Sequence, residues 1–162
     1  MKKLIVMAAA VALLTSCAPK IEQKTLNTGG FAEAPITLDV PDDWQTPTDL
    51  ETSARFSKHK GEGDFTIEYL KMDDCKLDAA VLKSTTLENV DYQGATVTEE
   101  LKLKNGIGLK LDKPAADGKG TEKHFVMLVQ AKGKCYLIHN NPYYDTQYKS
   151  YDVEKTIIES IR

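Results

Sequence analysis

Two apolar runs, residues 122–131 and 134–140, are separated by nothing but Lys132-Gly133, and this arrangement constrains the chain more than any other. A two-residue connection of this type closes a tight β-hairpin, and in a tight hairpin the turn fixes the register. Val129 then stands opposite Tyr136, and Ala131 opposite Lys134. Side chains alternate between the two faces of a strand. Phe125, Met127, Val129, Tyr136 and Ile138 therefore share one face, and Val126, Leu128, Cys135 and Leu137 share the other. Both faces are apolar, so this pair of strands needs cover on both sides, which excludes a sheet with one face open to water.

The rest of the chain supplies the neighbours and the cover. Ile36-Thr37-Leu38-Asp39-Val40 alternates as a half-buried strand and ends at Pro41-Asp42-Asp43-Trp44, a turn sequence. Arg55–Lys58 and Asp64–Met72 read as two strands of a hairpin around Lys60-Gly61-Glu62-Gly63. Gly94–Lys104 and Ile107–Lys113 read as two more, joined at Asn105-Gly106, with a loop over 114–120 leading to the central hairpin. Helices are expected at Leu77–Val90, capped by Asp73-Asp74 with Leu77, Val81 and Leu87 along its apolar side, and after Pro142, where Tyr148, Tyr151, Ile157, Ile158 and Ile161 recur at helical spacing. The expected fold is α+β: an antiparallel sheet with a helical layer on each face.

The N-terminus has a different character. Met1-Lys2-Lys3 is a positive start, Leu4–Leu14 an apolar run too short to span a bilayer, and Leu14-Thr15-Ser16-Cys17 a small-residue segment ending in cysteine. This resembles the lipobox of bacterial lipoproteins, in which the signal peptide is cut before the cysteine and lipid is attached to it. The resemblance implies a signal peptide over 1–16, lipid on Cys17, and a domain held at the periplasmic side of a bacterial membrane without spanning it. Ala18, rather than Asp, after the cysteine favours the outer membrane by the enteric sorting pattern. Residues 17–35, polar and carrying Pro19, Gly29, Gly30 and Pro35, read as a flexible tether, and 36–162 as a single globular domain.

Removing Lys2 and Lys3 from the 21 basic side chains leaves 19 against 24 acidic ones. With only Arg55 and Arg162 as arginines and lysines interspersed with carboxylates, nucleic acid is not an expected partner. Cys75 and Cys135 remain as an even pair in a compartment that permits disulfides, and a bond between them is the expectation, two buried free thiols being the alternative. Their spacing is not that of a Cys-x-x-Cys redox motif.

Taken in order, these parts resemble the PsbP-like fold, shared by the photosystem II extrinsic PsbP proteins, the eukaryotic Ran-binding import factor and bacterial DcrB-type lipoproteins. The resemblance covers Ile36–Arg162. It is carried by the opening strand with Val40-Pro41-Asp42-Asp43-Trp44, by Tyr136-Leu137-Ile138 leading through Pro142 and Tyr144, and by the closing Ile157-Ile158-Glu159-Ser160-Ile161. It implies a small noncatalytic domain that docks onto larger protein assemblies.

Catalytic and cofactor chemistry finds little support. There is no Gly-x-Ser-x-Gly elbow, phosphate loop or dinucleotide fingerprint, and no cofactor is expected. Of His59, His124 and His139, the hairpin register makes the last two diagonal neighbours about 7–8 Å apart on one face, but a third metal ligand is missing from the pattern. The Asp42-Asp43 and Asp73-Asp74 pairs fall where Asp caps turns and helices. The expected function is thus that of a membrane-anchored, noncatalytic protein-binding module with an envelope protein as partner. Candidate contact residues are Trp44, Tyr143 and Tyr144, because aromatic rings with a polar tip favour interfaces. The alternative is a carrier or sensor of a small apolar ligand held between a helix and the sheet. A hydrolase with a hidden carboxylate and histidine cluster is a third possibility.

Overall fold

The computed structural model describes residues 18–45, 47–50, 52–58, 63–72, 74–141 and 150–162. Among these residues nine strands and two α-helices follow in the order β1 (Ile21–Leu26), β2 (Ile36–Pro41), β3 (Thr48–Leu50), β4 (Ser53–Ser57), β5 (Asp64–Leu70), α1 (Ala79–Glu88), β6 (Thr96–Leu103), β7 (Gly106–Pro114), β8 (Thr121–Ala131), β9 (Lys134–Asn140) and α2 (Tyr151–Glu159). Seven strands form one antiparallel sheet in the order β3-β4-β5-β9-β8-β7-β6, while β1 and β2 pair as a separate hairpin. The fold is the α+β arrangement expected, an antiparallel sheet with two helices.

The central hairpin has the predicted register, with Val129 opposite Tyr136 and Ala131 opposite Lys134. Its turn places Lys132 at φ 50° and Gly133 at φ 76°. Two successive left-handed residues match the right-handed twist of the flanking strands. The β6–β7 hairpin turns one residue earlier than the Asn105-Gly106 signal suggests, since Gly106 is already paired with Leu103. There Gly106 serves a close approach: a Cβ at this position would run into the Leu128 carbonyl oxygen of β8.

The two faces have separate cores. On the first, Phe56, Phe65, Ile67, Phe125, Met127, Tyr136 and Ile138 pack with Ile36, Leu38 and Val40 of β2 and with Ile157, Ile158 and Ile161. The cover on this side is locked by polar bonds. Arg162 and Thr37 exchange main-chain hydrogen bonds, each 3.0 Å, the Ser160 hydroxyl accepts from Asp39 N at 2.8 Å, and Asn105 Nδ2 donates to the carbonyls of Ile158 and Ile161. On the second face Leu109, Leu111, Val126, Leu128 and Cys135 meet Leu82 of α1 and Tyr92 of the 3-10 turn that follows it. The Cys75–Cys135 disulfide joins the segment before α1 to the sheet, with Cα atoms 5.4 Å apart.

Two expectations are corrected. Part of the supposed tether is structured: Ile21–Leu26 is strand β1, paired along its whole length with β2, and Leu26, Phe31 and Ala34 are buried. Its polar residues face outward from an outermost strand, a pattern that a tether shares. Helix α1 is capped by Asp78, which accepts from Ala80 N and Val81 N, rather than by Asp73-Asp74. Asp73 lies outside the described residues, and Asp74 pairs instead with Lys76 at the surface. The helix is also rotated from the expected orientation: Leu82 and Thr86 turn inward, whereas Leu77, Val81 and Leu87 are exposed.

Candidate functional site

Helix α1 has ten residues, so it is about 15 Å long and about 10 Å across. Seven strands spaced by about 4.8 Å make a sheet about 29 Å wide. One short helix cannot cover that face. It lies over the apolar β7–β9 region, and beyond its edge the same face changes character, carrying Thr66 and Glu68 of β5 and Arg55 of β4. At this border sits a cleft of about 650 Å³, floored by β8, β9 and β5 and walled by α1 and the turn around Tyr92.

The sheet register explains its contents. Arg55, Thr66, His139 and Val126 stand opposite one another on four successive strands. His124 and Leu137 come from the same face one step along β8 and β9, so the histidines are the diagonal neighbours that the hairpin predicts, and both line the cleft. Burial depresses both imidazole pKa values below 6.5, and the Glu122 carboxylate, 3.2 Å from His124 Nε2, partly opposes the shift at His124. Tyr92 meets His124 edge-on with ring centres 5.4 Å apart, and burial, reinforced by Asp91, pushes its phenol up to about 12. Arg55 Nε donates to Asp64 Oδ1 at 2.9 Å, and Lys113 Nζ donates to the Asp91 carbonyl at 2.6 Å.

Chemically, this is a pocket of imidazoles, hydroxyls, amides and both signs of charge over an apolar floor. Among the described residues no three His, Cys, Asp or Glu side chains are placed to hold a metal ion. The sequence pattern shows the histidine pair but conceals Arg55, Thr66 and Glu68. They reach the cleft only because β5 pairs with β9, a long-range contact that no local signal announces.

The other candidate residues fall elsewhere. Trp44 is 5% exposed and packs against Phe65 with ring centres 5.5 Å apart, so it is a core residue and not the surface contact expected of it as an aromatic residue. Cys17, His59, Tyr143, Tyr144 and Tyr148 lie outside the described residues. Tyr136 is fully buried, its hydroxyl donating to the Ala34 carbonyl at 3.0 Å. The outer side of α1 and the following turn carries apolar residues: Val81, expected on the inward side, is 58% exposed, and Val90 is 76% exposed. No described helix is long and apolar enough to cross a membrane.

No protein-family model and no curated protein matches the chain. Solved structures do. A crystal structure from Bacteroides thetaiotaomicron aligns over 86% of this chain with a TM-score of 0.54 and 14% identity, and the chain spans about half of that protein, 47% of its length. The solution structure of cyanobacterial PsbP (CyanoP) from Synechocystis aligns over 91% of this chain and 95% of its own length, with a TM-score of 0.58 and 11% identity. At these identities the likeness is one of fold, and the fold of this chain is PsbP-like.

Proposed function

We propose that this chain is a noncatalytic protein-binding module, anchored by lipid on Cys17 to the periplasmic side of a bacterial membrane, with the outer membrane favoured over the inner. The observation that carries the reading is the outward side of α1 and its flanks, where Leu77, Val81, Leu87 and Val90 are presented to solvent on a disulfide-fixed element. Large apolar side chains held in solvent are what a protein partner would bury. The lipobox-like N-terminus, the disulfide and the PsbP-like fold agree with an extracytoplasmic docking domain. The test is photo-crosslinking in intact membranes from a reactive residue at Val81 or Val90, with Lys119 as the control site. One envelope protein captured from the first two positions and not from the third, and much reduced in Cys17→Ala, is the expected result. Equal background from all three positions would remove the reading.

A second reading, a carrier or sensor of a small ligand, is favoured by the cleft beside α1. Its volume lies within the range typical of small-molecule sites.

A further inference from the structure

We propose that the cleft beside α1 binds a neutral, hydroxyl-rich small molecule, a carbohydrate of one or two rings. The inference rests on reading the cleft as a ligand site and adds the chemistry of the ligand.

Charge narrows the choice first. Arg55 and Lys113 line the same cavity as Glu68 and Glu122, with Asp64 bonded to Arg55 and Glu122 to His124. A ligand with a strong net charge would meet its own sign as well as the opposite one. A wholly apolar ligand would cover guanidinium and carboxylate groups without replacing their hydration, which is costly. A hydroxyl group both donates and accepts, so it can answer each of the groups present: neutral imidazole, threonine, amide, carboxylate and guanidinium. Burial keeps His124 and His139 in the uncharged form near neutral pH, where a ring carries one donor and one acceptor nitrogen, the Nε2 of His124 being already engaged by Glu122.

The apolar part of the lining completes the match. Val126, opposite His139 and two residues from His124, and Leu137, two residues from His139 on β9, are the apolar part of the floor, with Leu82 and the Tyr92 ring at the wall. A sugar ring carries a C–H face within a hydroxyl rim, and this cleft sets an apolar floor within a polar rim. The volume of about 650 Å³ has room for one or two such rings.

The test uses the full-length lipidated chain in amine-oxide micelles and saturation-transfer NMR. The probes are glucose, galactose, N-acetylglucosamine, cellobiose and lactose, with spermidine, citrate and decanoate as comparators. Two variants address the site: Thr85→Trp fills the mouth from an exposed position on α1, and His139→Phe keeps a ring while removing its hydrogen bonds. Circular dichroism establishes that both are folded. We expect saturable binding of at least one carbohydrate, with a dissociation constant of about 1 mM or tighter, weakened about tenfold or more in both variants. Carbohydrate binding unchanged by Thr85→Trp would place the site elsewhere and overturn the proposal. Binding of spermidine, citrate or decanoate alone would overturn the ligand chemistry while leaving the cleft a ligand site, and silence from every probe would overturn both.

Discussion

Reducing the Cys75–Cys135 disulfide should weaken the domain by an amount set by the loop it closes. The cysteines are 60 residues apart in sequence. A cross-link of that span removes about 14 cal/mol/K of entropy from the unfolded chain, or about 4 kcal/mol at room temperature. Cys135 is buried in the second core, so reduction alone should expose little apolar surface in the folded state. Against a net stability of about 5–15 kcal/mol for a domain, 4 kcal/mol is a large fraction. With a urea slope of about 2 kcal/mol/M, the unfolding midpoint should fall by about 2 M. The loss should also have a location. Helix α1 buries only Leu82 and Thr86, so the disulfide supplies much of its attachment, and hydrogen exchange of amides 79–88 should accelerate well before that of β8 and β9. The assay is urea unfolding of oxidised and reduced protein, with thiol titration to show that reduction is complete. A midpoint shift below about 0.5 M, or uniform acceleration across the sheet, would refute the reasoning.

Gly106→Ala should destabilise by about 2–3 kcal/mol in thermal unfolding, since the added methyl meets backbone of β8 and neither strand can retreat. Stability should fall with acidity. Because His124 and His139 have folded-state pKa values below 6.5, the unfolded chain binds more protons as pH drops through 6.5, so the urea midpoint should decrease from about pH 7.5 to about pH 5.5, less steeply in His139→Phe. Val81→Lys and Val90→Lys should leave stability within about 0.5 kcal/mol of the parent while abolishing partner crosslinking, a split that unfolding and capture measured on the same preparations would check.

How much of this was legible in the sequence depended on whether the relevant contacts were local. The β8–β9 register followed from a two-residue turn, and with it came both apolar faces and the histidine diagonal. Strands β2, β4–β7 and both helices were visible from alternation and turn residues. Strand β1 was not, because Ile21-Glu22-Gln23-Lys24-Thr25-Leu26 buries only its last side chain fully and draws its order from pairing with β2. The orientation of α1 was missed because its exposed side is as apolar as its buried one: Val81 points out and Leu82, its neighbour, points in. The cleft needed the β5–β9 pairing, which joins residues near 67 to residues near 138. An aromatic ring suits a core as well as an interface, and only the packing of Trp44 on Phe65 decides between them.

The position of β9 between β5 and β8 has a consequence for the order in which the polypeptide is made. Strands β6 to β9 are consecutive hairpins and can zip as soon as they emerge, but β5 is finished at Leu70 and its partner does not begin until Lys134. At a synthesis rate of about 5–20 residues per second, about 3–13 s separate the making of the Phe65–Leu70 edge from that of the strand that covers it, and the proposed export of the chain comes on top of this. During that interval the amino-terminal half presents an unsatisfied row of peptide groups. It is then a client for any chaperone that recognises extended chain.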